Sequence, residues 1–150
     1  MQLPNIIQSD IIRPGINTFW DEIPGLTKNS HHKPVLILCR VFQKGSAEEV
    51  QLEKMLTACR LTPEQYIIIQ LEDDQKIAWH KLREGLKPSK ILLLGIHPAQ
   101  IGISALFGLN EINHFDERIF IPSLALKELE KQTNMRSQLW NSALKPVFIE

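Results

Sequence analysis

Three apolar runs dominate the chain, and a stretch with helical spacing separates each from the next. The runs are Pro34-Val35-Leu36-Ile37-Leu38-Cys39-Arg40-Val41-Phe42, Tyr66-Ile67-Ile68-Ile69-Gln70-Leu71 and Lys90-Ile91-Leu92-Leu93-Leu94-Gly95. A short run that is apolar on both faces predicts a strand covered on both sides of a sheet. After the first run, Leu52, Met55, Leu56 and Cys59 recur at i, i+3, i+4 and i+7, the spacing of one helical face. Ser46 and Glu49 precede that face at capping-box spacing, in which each side chain satisfies an amide near the helix start. Thr62-Pro63-Glu64 punctuates the chain, with Pro63 also able to open a single turn. After the second run, Ala78 and Leu82, with either Trp79 or Leu86, mark an amphipathic helix. Asp73-Asp74 reads as its N-cap region, and Gly85 and Pro88 as its stop. Strand, helix, strand, helix, strand over 34–95 implies parallel strands joined by right-handed crossovers.

Beyond Pro98 the periodicity loosens. Residues 99–109, with Gly102 and Gly108, fit either a short helix or a loop. Arg118-Ile119-Phe120-Ile121-Pro122 predicts a fourth strand that stops at Pro122, and Ser123 is positioned to cap a turn over 124–129. A last helix begins near Thr133 or Asn134, with Met135, Leu139, Trp140, Ala143, Leu144 and Val147 on one stripe and Pro146 disturbing only its tail. Arg136, unfavourably placed at a helix start, is expected to pair with an acid such as Glu128 or to face solvent. The fold class that follows is α/β: a three-layer α/β/α sandwich around a mainly parallel sheet of about four strands. Residues 34–150 form that single domain, and residues 1–33 form an N-terminal arm.

The arm has a different pattern. Pro4, Pro14, Gly15, Pro24 and Gly25 break it into short apolar pieces, Ile6-Ile7, Ile11-Ile12, Phe19-Trp20 and Ile23, too short to make a helix alone. Two readings stand side by side. Residues 16–28 lie over the core as packing plugs, or part of the arm is a linear motif offered to a partner. In the second reading Ile11, Ile12, Phe19 and Trp20 are the partner-binding anchors, because aromatic and aliphatic side chains carry most interface energy.

Composition narrows the function. The 150 residues hold 17 Lys plus Arg and 17 Asp plus Glu, so formal charge is zero, which argues against a protein that coats nucleic acid. The N-terminus lacks a charged segment followed by an apolar one, and no apolar run approaches the ~18 residues that span a bilayer. A cytoplasmic protein with no membrane partner is expected, with Cys39 and Cys59 as buried free thiols.

Chemistry-bearing motifs are scarce. His31, His32, His80, His97 and His114 have no i, i+4 pair, and the cysteines have no C-x-x-C partner, so neither metal nor cofactor is expected. The chain has no phosphate loop, no G-x-G-x-x-G and no G-x-S-x-G elbow. Gly95-Ile96-His97-Pro98 after one strand and Ile121-Pro122-Ser123-Leu124 after another do form site-like turns at predicted carboxyl ends of parallel strands, where ligands of open α/β sheets sit. His97 reads most simply as a turn residue whose imidazole is satisfied by nearby backbone.

This pair of turns resembles the uracil-DNA glycosylase superfamily, with its G-x-D-P first motif and H-P-S-P second motif. His97 stands at the acidic position, Ile121 at the histidine position and Leu124 at the last proline. The resemblance therefore implies the scaffold, with Gly95, His97, Pro98, Pro122 and Ser123 as a vestigial pocket, and no catalytic residues. A DNA-repair enzyme or DNA-binding relative, using His97 or His114 near Ser123, is the alternative it implies.

The C-terminal third is similar to a second family. Ile121-Pro122-Ser123-Leu124-Ala125-Leu126-Lys127-Glu128-Leu129, then Thr133-Asn134-Met135-Arg136, then Leu139-Trp140, resembles the ending of the psi subunit of bacterial DNA polymerase III. Leu61-Thr62-Pro63-Glu64-Gln65 resembles that family's turn between first helix and second strand. Met135 stands where the family often has proline. The resemblance implies a non-catalytic adaptor of the replication machine on a glycosylase-shaped domain. Its partners would be clamp-loader subunits, bound through the arm, and a chi-like subunit, with DNA reached only indirectly.

Overall fold

The computed structural model describes residues 32–149. The arm residues Ile11, Ile12, Phe19 and Trp20 lie outside the described residues. Five strands form one sheet: β1 Val35–Arg40, β2 Tyr66–Leu71, β3 Lys90–Leu94, β4 Asn113–Phe115 and β5 Arg118–Ser123, in the order β2-β1-β3-β5-β4. β1, β2, β3 and β5 run parallel, with Val35 opposite both Tyr66 and Lys90. β4 runs antiparallel to β5 at the edge.

The apolar runs become strands because both faces of the sheet are covered. Leu36, Leu38, Ile91, Leu93 and Phe120 point to one core, which α2 (Trp79–Leu86) closes with Trp79, Leu82 and Leu86. Val35, Ile37, Leu92, Leu94 and Ile121 point to the other. There α1 (Ala47–Ala58) contributes Leu52, Met55 and Leu56, while α3 (Leu126–Lys131) and α4 (Thr133–Leu139) contribute Leu126, Leu129 and Leu139. The domain is thus α/β in three layers. Both cysteines are free and buried, and burial pushes Cys39 up to about 12 and Cys59 to about 11. No helix among the described residues is long and apolar enough to cross a membrane.

Several local expectations change. The sheet has five strands rather than about four, because Asn113–Phe115 pairs with β5 through a hairpin at Asp116-Glu117. Both turn residues have positive φ, 52° and 60°, a geometry usually signalled by Asn-Gly or Asp-Gly. Here tertiary contacts hold it: the Asp116 carboxylate accepts from Trp79 Nε1 and Arg83 Nη1, each at 3.0 Å. Those hydrogen bonds, from Trp79 first and then Arg83, hold the Asp116 carboxyl below its ordinary range.

The capping box of α1 is only half as drawn. Ser46 Oγ accepts from the Glu49 amide at 3.3 Å, but Glu49 Oε1 accepts from Gly45 rather than Ser46. Pro63 does open a single turn, Pro63–Gln65, closed by Gln65 Oε1 on the Thr62 amide at 2.9 Å. Asp73-Asp74 does not cap α2, which starts at Trp79 after an Ala78 with no side-chain cap. Gln100 holds the preceding segment out of the helix: its carboxamide donates to the carbonyls of Glu72 and Gln75, and its backbone carbonyl accepts from the Ile77 amide. Gly85 lies inside α2; the stop is Lys87 at φ 51°, followed by Pro88.

The C-terminal helices also depart from expectation. Ser123 does not cap α3, whose N-cap is Ala125 without a side-chain bond. Arg136 is half-buried and does not pair with Glu128: Nη1 donates to the carbonyls of Leu129 and Glu130 at 2.8 and 2.7 Å. It thereby satisfies the orphan carbonyls at the end of α3. α4 continues as a wider π-type helix, Trp140–Ile149, with Pro146 inside it. Pro146 lacks the amide an α-helix needs and its ring would strike the preceding turn, which a wider helix relieves.

Candidate functional site

β3 ends at Gly95 because the chain must turn there at φ +74°, and because any Cβ would lie 2.6 Å from the Ala125 Cβ. The Gly95 amide donates to the Ser123 carbonyl at 3.0 Å, tying the end of β3 to the end of β5. His97 and Pro98 then open a single 3₁₀ turn, Pro98–Ile101. His97 Nδ1 accepts from the Ala99 amide at 3.1 Å, so the ring caps this turn as a satisfied turn residue. With Nδ1 acting as acceptor, the proton of the neutral ring sits on Nε2.

Pro122 pairs with Leu93 of β3 and is tolerated in β5 because β4 extends only to a position opposite Phe120, so no β4 carbonyl awaits the missing amide. Its carbonyl accepts the Asn110 amide at 2.7 Å. Asn110, fully buried at φ 58°, also takes the Ser123 hydroxyl proton on Oδ1 at 2.6 Å. Ser123 is thus a link between a loop and a strand end rather than a helix cap.

These turns bracket one cavity of about 350 Å³ at the carboxyl ends of β1, β3 and β5. Gly95, His97, Pro98, Pro122 and Ser123 all line it, so the structure brings together the five pocket residues singled out in the sequence. Sequence reasoning missed Arg40 at the end of β1 and the wall from Ala105 to Leu109. Arg40 carried a signal, as the one charge closing an apolar strand run; the wall carried none, being a loop without periodicity. Leu106 is 98% exposed and Leu109 44%, so the rim is apolar and open.

Arg40 separates this cavity from a second depression lined by Glu48, Glu72, Asp73, Asp74 and Lys127. Its Nη1, itself buried, forms an ion pair with Asp73 Oδ1 at 2.7 Å. Asp73 is 92% exposed, so the pair is largely a surface contact of small energy.

Three polar groups of the cavity already have partners. The His97 Nδ1 lone pair accepts from backbone, the Ser123 hydroxyl donates to Asn110, and Arg40 pairs with Asp73. The arrangement can bind an anion or an apolar group, but no base stands behind the hydroxyl. Among the described residues, no group of three or more His, Cys, Asp or Glu side chains could hold a metal ion. Comparison with family models and with curated proteins finds no match to the chain.

Proposed function

We propose that this chain is a non-catalytic adaptor of a bacterial DNA replication machine, similar to the psi subunit, bridging the clamp loader to other replisome proteins. The observation that carries this reading is the cavity between the β3 and β5 turns. It has the position of a glycosylase-like site, yet its hydroxyl donates to Asn110, its imidazole Nδ1 accepts from the Ala99 amide and its guanidinium pairs with Asp73. A uracil-DNA glycosylase-like scaffold kept for its surfaces accounts for both facts. The psi-like pattern from Ile121 to Trp140 adds support, since it covers β5, α3 and α4 as one piece. On this reading Ile11, Ile12, Phe19 and Trp20 are the anchors offered to the clamp loader, with a chi-like subunit meeting the folded domain.

The test is capture of a reconstituted bacterial clamp loader by the full chain. Retention that is lost in the quadruple variant Ile11→Ser, Ile12→Ser, Phe19→Ser, Trp20→Ser supports the adaptor. Equal retention by that variant, or none by either chain, removes it.

One observation favours a second reading, a glycosylase-superfamily repair enzyme: the two Pro-containing turns do face one cavity. Release of free base from uracil- or hypoxanthine-containing DNA, diminished by His97→Ala, would establish it; intact DNA after prolonged incubation discards it.

A further inference from the structure

The sheet ends on two unlike edges. β4 is three residues long and carries the exposed His114, a short edge of the kind that resists pairing with another chain. β2 is six residues long, Tyr66-Ile67-Ile68-Ile69-Gln70-Leu71, and contains no charge, no Pro and no Gly. It pairs with β1 residue for residue without a bulge. Among the described residues, no group outside β1 bonds its backbone. Its outer amides and carbonyls are therefore a template for a further strand. We propose that the strand is β2 of a second copy of this chain, laid antiparallel across a two-fold axis.

A two-fold interface needs a patch that complements itself, and β2 does so in shape and in charge. Directly opposite residues of an antiparallel pair share a face of the sheet. An axis centred on Ile68 therefore sets Ile68 against its own copy, Ile67 against Ile69 of the second copy and Tyr66 against its Gln70. Ile67 is half-buried on the α2 face and Ile68 half-buried on the α1 face, so both cores continue across the seam. The charges choose the direction. The carboxyl end of β2 leads into Glu72, Asp73 and Asp74, all exposed, of which Asp73 pairs with Arg40. At the amino end Lys33 Nζ donates to the carbonyls of Pro63 and Glu64 at 3.4 and 3.3 Å, next to the exposed Glu64. A parallel partner would set two acidic runs side by side. The antiparallel one brings each acidic run to the end that holds a cation. There Glu64 meets Glu72 of the second copy, and Lys33 offsets the two carboxylates.

Sedimentation of the full chain over a wide concentration range tests the contact. The expected mass rises with concentration from one chain to two, and Ile68→Lys should hold it at one. Lys33→Glu, which leaves the facing carboxylates without their cation, should weaken association about tenfold or more. Adding Glu72→Lys to that variant should restore most of the loss, and both sites are on the surface, so the fold survives the exchange. Hydrogen exchange of the unmodified chain should slow with concentration at alternate amides of β2 and stay constant in β4. A single-chain mass at every concentration overturns the proposal, as does a dimer indifferent to both Ile68→Lys and Lys33→Glu. Alternate β2 amides fully protected at the lowest concentration overturn it too, because another part of the same chain would then cover the edge. No step draws on the adaptor reading, so dimerisation and clamp-loader capture can fail separately.

Discussion

The two halves of the domain are held together by different means. From Val35 to Leu94 the contacts are mostly apolar ladders, with Leu36, Ile37 and Leu38 of β1 meeting Ile67, Ile68 and Ile69 on one side and Ile91, Leu92 and Leu93 on the other. From Gly95 to Ile149, polar side chains do more of the joining. Ser123 bonds Asn110, Asn113 bonds both the amide and the carbonyl of Gly108, Asp116 collects Trp79 and Arg83, and Arg136 closes α3. Apolar contacts are non-directional and tolerate slippage, whereas a buried hydrogen bond fails as a unit once one partner is gone. The second half should therefore be sensitive at a few positions and tolerant between them. The cavity lies where the two halves meet.

The largest effect should come from the apolar half. Leu93 is fully buried at the centre of the sheet, so Leu93→Ala should cost about 2–5 kcal/mol in urea unfolding. A loss under about 1 kcal/mol would show that the sheet centre collapses around the hole, against close packing.

Next in size is Asn110→Ala, which strands the Ser123 hydroxyl in the interior and should cost about 1–3 kcal/mol. If the polar half is as local as described, hydrogen exchange should quicken first in residues 105–113 and in β4, leaving β1 protected. Uniform loss of protection would erase the contrast between the halves. Arg136→Ala should cost about 1 kcal/mol by uncovering the carbonyls of Leu129 and Glu130. Lys at this position, lacking the planar fork, should recover only part of the loss in the same unfolding experiment.

The smallest effect concerns pH. The Asp116 carboxyl titrates below its ordinary range, so its contribution is present above the unfolded value of about 4 and is lost as pH falls through the lower folded value. Asp116→Asn should flatten the acid side of the stability profile. The thiols act oppositely, since burial raises both. Their contribution is complete below about 9 and fades as pH rises towards about 11 and 12. Cys39→Ala with Cys59→Ala should accordingly lessen the alkaline decline in thermal melts between pH 9 and 11; an unchanged decline would assign it elsewhere.

Legibility followed the same division. The strands and helices of 34–94 stood in the sequence because burial on both faces leaves continuous apolar runs and helical stripes. The pocket residues Gly95, His97, Pro98, Pro122 and Ser123 were visible as punctuation at the ends of two such runs. Arg40 was marked only as a charge closing an apolar run, and the loop from Ala105 to Leu109 not at all, because a side chain joins a cavity wall through neighbours that are distant in sequence.

By itself, then, the sequence determined a parallel α/β sheet, the faces its helices cover and the turns that end β3 and β5. These depend on local periodicity and on the restricted backbones of Gly and Pro. Only the tertiary structure decided that Asp116-Glu117 turns a hairpin, that Gln100 delays α2, that Ser123 serves Asn110 and that Arg136 caps α3. Each depends on a hydrogen bond between residues with no regular spacing, and a donor's partner is fixed by the folded chain rather than by its place in the sequence.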